Sequence, residues 1–132
     1  MKIPDIDDWG IIADHDYDRQ TTFNNYYGKN IDEVILTLKE NFFERALEMD
    51  YMPDQVFNYY IFAMKIFIQN NLVYFDDRAD ASSIFLKLIY SRAKDNPKRI
   101  SSIYNKLSDL VEEIGLNQEK FDVDIEIYGD FK

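Results

Sequence analysis

A chain of 132 residues, 46% of them hydrophobic, has room for one ordinary globular domain with a core. Its formal charge of −10, from 25 acids against 15 bases, weighs against nucleic acid or anionic lipid as a partner. One His and no Cys exclude the usual zinc, iron–sulfur, thiol and disulfide sites, so no metal or cofactor is expected and catalysis would fall to carboxylates.

The start, Met1-Lys2-Ile3-Pro4-Asp5-Ile6-Asp7-Asp8, has acids where a signal peptide would have a basic and then an apolar stretch. The apolar run 59–67 is interrupted by Lys65 and falls far short of the ~20 residues of a spanning helix. A soluble, cytoplasmic protein is expected. Ten Tyr, ten Phe and one Trp suit a core of few large side chains, and the tyrosines also suit interfaces.

Residues 1–30 read as irregular or partly extended, anchored by Trp9, Ile11, Ile12, Phe23, Tyr26 and Tyr27 among six aspartates. Asn30, three places before Glu33, has the form of a capping box. It opens a helix expected over 31–49, with Ile31, Val34, Ile35, Leu38, Phe42, Ala46 and Met49 at helical spacing. Glu40, Glu44 and Glu48 then fall on its outer face in i,i+4 steps, where like charges repel unless something basic relieves them. A solvated face and a partner's contact surface both fit.

Pro53 and Asp54 begin a second helix expected to reach Asn71, apolar nearly all round and so suited to the centre of a bundle. Leu72-Val73-Tyr74-Phe75 reads as a short extended piece or a packed loop. A third helix is expected over 78–94, on Ala81, Ile84, Phe85, Leu88 and Ile89. The fourth takes Asn96 as cap and Pro97 as first residue, carries Ile100, Ile103, Tyr104, Leu107, Leu110, Val111 and Ile114, and closes at Gly115. In the tail, Phe121, Val123, Ile125 and Ile127 alternate with Asp122, Asp124, Glu126 and Tyr128, the period of a half-buried strand. Its mate would be 9–13, 72–75 or a partner chain's strand. The expected fold is therefore a single mainly α domain over 1–132, a four-helix antiparallel bundle-like structure with a small β element at the C-terminal strand.

Charge is unevenly spread. Residues 1–50 carry twelve acids and five bases, residues 119–132 five acids and two bases, and the middle is balanced at eight of each. Brought together, the two acidic segments would make a surface whose field speeds association with a basic protein, and a diffuse coat for solubility is the alternative.

Asp14-His15-Asp16 with Asp18 is the one metal-like cluster, but it matches no ligand spacing and reads as a surface turn. Its likeness to a calcium loop fails for want of the central glycine and closing glutamate. A carboxylate pair such as Glu40 and Glu44 on a helix surface has no pocket to split the two pKa values. Ser82-Ser83 and Ser101-Ser102 have no evident base, and the four glycines form no phosphate-binding loop.

The segments Tyr26-Tyr27-Gly28-Lys29-Asn30-Ile31-Asp32-Glu33-Val34, Met52-Pro53 and Phe57-Asn58-Tyr59-Tyr60-Ile61 resemble small bacterial proteins that give immunity against polymorphic or contact-dependent toxins. The resemblance covers about residues 23–68. It implies a noncatalytic immunity protein that neutralises a cognate, basic toxin by direct contact, and a regulatory or scaffold domain unrelated to toxins is the alternative. Binding charges would then be Glu40, Glu44 and Glu48, followed by Asp122, Asp124 and Glu126, with Gly28, Lys29, Pro53, Phe57 and Tyr60 building the fold. Oligomeric state stays open.

Overall fold

The computed structural model describes residues 2–70, 72 and 77–116, with Asp95 and Leu116 described by backbone alone. Seven α-helices are found among the described residues: α1 (Ile6–Trp9), α2 (Tyr17–Tyr26), α3 (Ile31–Glu40), α4 (Phe42–Glu48), α5 (Asp54–Gln69), α6 (Arg78–Asp95) and α7 (Ser101–Leu116). Short 3-10 turns occupy Met49–Tyr51 and Pro97–Arg99. The mainly α expectation holds, while the count of four helices does not. No strand occurs among the described residues, and the expected strand over 121–128 lies outside them. Of its expected mates, 9–13 is the end of α1 followed by non-strand backbone, and 72–75 lies almost wholly outside the described residues. No described helix is long and apolar enough to cross a membrane.

Two compact units divide the chain at Met64, Met1–Met64 and Lys65–Lys132, so that α5 contributes to both. In the first unit, the stretch expected to be irregular holds two helices, and its aspartates explain them. The Asp5 carboxylate accepts from the Asp8 N–H at 3.0 Å, and the Asp8 carboxylate accepts from the Asp5 N–H at 2.9 Å. Asp16 likewise caps α2 by accepting from the Arg19 N–H at 3.2 Å. These helices hold few apolar residues, which is why periodicity misses them. Trp9 meets Phe23 edge to face at 5.2 Å, and Phe23 stacks on Tyr27 at 4.6 Å, which ties α1 to α2.

The helix expected over 31–49 is also corrected. Asn41 leaves the helical region at φ −155°, ψ 77° and separates α3 from α4. Asparagine is a weak helix former, because its amide can compete for nearby backbone groups in non-helical conformations, so a break at this position costs little. The apolar stripe resumes beyond the break, with Val34, Leu38, Ala46 and Met49 all buried. From α5, Val56, Phe57, Tyr60 and Ile61 add fully buried side chains to this unit.

In the second unit, α6 buries Ala81, Phe85, Leu86, Leu88 and Ile89. The α7 stripe runs through Ile103, Leu107, Leu110, Val111 and Ile114, all buried. Asn96 and Pro97 do form a cap and first residue, but of the 3-10 turn; the Asn96 side chain accepts from the Lys98 N–H at 3.1 Å and α7 starts at Ser101. Gly115 lies within α7 rather than closing it. Lys65 of α5 reaches α7, with its ammonium 3.1 Å from Asp109 and donating to the Lys106 carbonyl, and Gln69 donates to Asp109 at 3.2 Å. Burial would raise the Asp109 pKa, but hydrogen bonds from Gln69, Lys65 and the Leu110 N–H hold the carboxyl below its ordinary value.

Candidate binding surfaces

The three glutamates expected on one outer face are not equivalent. Glu40 ends α3 and Glu44 lies in the first turn of α4; both are exposed. Glu48, at the end of α4, is turned inward with its side chain only 12% exposed. Arg45 Nε lies 2.6 Å from Glu48 Oε1, Asn25 Nδ2 donates to Oε2 at 2.7 Å, and Arg45 also pairs with Glu44 at 3.2 Å. The base that relieves the glutamate repulsion thus comes from the same helix. Burial raises the Glu48 pKa, and the Asn25 hydrogen bond and Arg45 charge only partly oppose it. Glu48 belongs to a polar joint between α2 and α4, where the Thr22 hydroxyl donates to the Asp18 carbonyl at 2.8 Å and approaches the Glu48 carbonyl at 3.4 Å.

Other acids of this unit remain outside: Asp7, Asp14, Asp18, Asp32, Glu33 and Asp50 are exposed together with Glu40 and Glu44. Three of its bases, Lys2, Arg19 and Arg45, are paired with neighbouring acids at Asp5, Asp16, Glu44 and Glu48. The first unit therefore presents a predominantly negative exterior. Asp122, Asp124 and Glu126 lie outside the described residues. In the cluster around His15, Asp16 serves as the α2 cap, and among the described residues no three His, Asp or Glu side chains gather as metal ligands do.

The segment carrying the family resemblance forms the joint between α2, α3 and α5. Gly28 turns the chain at φ +79°, a value that favours glycine. Lys29 Nζ donates to Thr37 Oγ1 at 3.1 Å, and the Asn30–Glu33 capping box is complete at 2.9 and 3.1 Å. Pro53 precedes α5, its carbonyl accepting from the Phe57 N–H at 2.9 Å.

The second unit holds a feature that helical periodicity did not reveal. A cleft of about 470 Å³ opens between α6 and α7. Leu86, Ile89, Ile100 and Val111 form its buried floor, and Tyr90 and Tyr104, 57% and 40% exposed, stand at its lip. Its few polar groups include Ser101 and Asn105.

Compared with known proteins, the chain matches no family model, no curated protein and no solved structure. Its chemistry must be read from the surfaces themselves. The acidic exterior can attract and orient a cationic protein, and the cleft can bury apolar side chains. The sequence does set this stretch apart by charge, since residues 87–106 carry six bases and one acid within a chain of net charge −10, but nothing in that bias points to a cleft.

Proposed function

We propose that this protein is a noncatalytic binding protein that neutralises a cationic toxin by covering it, acting in the cytoplasm of the cell that makes it. The observation that carries this reading is the concentration of exposed acid on the first unit, from Asp7 to Asp50, where several bases are already paired internally. Such a surface accelerates encounter with a basic protein and repels nucleic acid and anionic membranes. Glu40 and Glu44 are the contact charges of this reading. Glu48 supports them from behind by holding Arg45.

The test is association of the protein with a basic toxin domain encoded beside its gene, followed by stopped flow at low and high ionic strength. Glu40→Lys with Glu44→Lys should slow association by about tenfold at low salt, and the toxin should lose inhibition accordingly. Unchanged rates would remove these residues from the interface. The cleft between α6 and α7 favours a second reading, a regulatory or scaffold domain that holds a segment of another protein. Binding without inhibition of any neighbouring toxin would favour it.

A further inference from the structure

We propose that the α6–α7 cleft docks an amphipathic helix of a second protein, one with an apolar face and acidic flanks. This site belongs to the second unit, and the bases beside it contrast with the acids exposed on the first. Its floor is apolar and its lip aromatic, the composition of a groove that receives anchoring side chains. Leu86, Ile89, Tyr90 and Ala93 follow one another at helical spacing along α6, a run of about 10 Å, which matches roughly two turns of an occupant helix.

The charge around the cleft chooses the occupant. Leu86, Ala93, Pro97 and Asn105 line it and are each followed in the chain by an exposed lysine, Lys87, Lys94, Lys98 and Lys106, against one exposed acid, Glu112, after the lining Val111. This fringe runs from α6 through the Pro97–Arg99 turn into α7, and a single anionic headgroup would engage only part of it. Carboxylates spaced along a helix flank would engage it along its length. Exposed Tyr90 and Tyr104 can then fold over the apolar anchors while their hydroxyls stay at the wet edge.

The experiment uses the full chain and fluorescein-labelled peptides followed by anisotropy. One peptide places leucines at i, i+3, i+4 and i+7 with glutamates flanking them; its counterpart replaces the glutamates by lysines. The acidic peptide should bind at least about tenfold more tightly at low salt, and Lys94→Glu with Lys98→Glu should abolish that preference. Tyr104→Ala should weaken the acidic peptide by about tenfold or more with the circular dichroism melt retained. Equal binding of the two peptides, or no binding of either, overturns the proposal. So does uptake by phosphatidylglycerol vesicles without peptide binding, which assigns the cleft to lipid, or a concentration-dependent dimer that excludes peptide, which assigns it to a second copy. Peptide binding that emerges only in the full chain carrying Val123→Asp and Ile125→Asp would assign the cleft to the protein's own C-terminal segment and overturn it equally.

Discussion

The Tyr60 hydroxyl donates to the backbone carbonyl of Tyr26 at 2.8 Å, across 34 residues of chain. The same hydroxyl lies 2.8 Å from the Lys29 carbonyl, so one side chain of α5 holds both the end of α2 and the turn that follows it. Both tyrosines are fully buried, their rings 5.2 Å apart, and the Tyr26 hydroxyl in turn donates to the Arg45 carbonyl. Burial pushes both phenols well above their ordinary pKa, which keeps them neutral donors through the physiological range.

Tyr60→Phe keeps the ring and removes the donor. It should cost about 1–3 kcal/mol in urea unfolding, because buried carbonyls lose their partner. A loss below about 0.5 kcal/mol would mean that the hydroxyl contributes little net stability beyond the ring.

Glu48 supplies a test with a defined sign. Its folded pKa is raised above the ordinary 4.5, chiefly by burial, so the folded protein holds that proton more tightly than the unfolded chain. The stability contributed by the protonated form is present below the ordinary value and is lost as pH rises through the raised one. Against Glu48→Gln, whose side chain does not titrate, the natural protein should therefore lose relative stability over that window. Urea midpoints for both proteins across the acid range would show it. A difference that is flat, or that grows in favour of the natural protein with rising pH, would contradict the assignment.

Much of the fold was legible where the signals are local. The Asn30–Glu33 box spans three residues, and α6 and α7 carry long stripes, so their positions could be read to within a few residues. The first two helices escaped because their stability comes from aspartate caps and a few aromatic contacts rather than an apolar stripe. Asn41 escaped because the stripe of α3 resumes in α4 after a single non-helical residue. Glu48 was misplaced because its burial depends on Asn25 and Thr22, 23 and 26 residues away, and nothing in its own i,i+4 neighbours records them.

The entry to α3 can be tested at two adjacent points. Asn30→Ala removes the side chain that accepts from the Glu33 N–H and should cost about 1 kcal/mol. Gly28→Ala should cost a comparable ~1 kcal/mol for a different reason. An added Cβ meets nothing within 4 Å, so the cost is that of holding a non-glycine residue at φ +79°. Thermal melts of the single variants and the pair would resolve them. A neutral Gly28→Ala would show that the turn relaxes to another backbone conformation.

On α7, two residues three apart should respond to truncation by very different amounts. Leu107 is fully buried, and Leu107→Ala should cost about 2–5 kcal/mol by removing transfer energy and leaving a cavity. Tyr104 stands 40% exposed at the cleft lip, so Tyr104→Ala should change stability by no more than about 1 kcal/mol. Urea denaturation of both variants separates the core face of the helix from the face open to a ligand. If Tyr104→Ala proved as damaging as Leu107→Ala, the tyrosine would be a packing residue of the second unit, and its loss could not be used to test peptide docking.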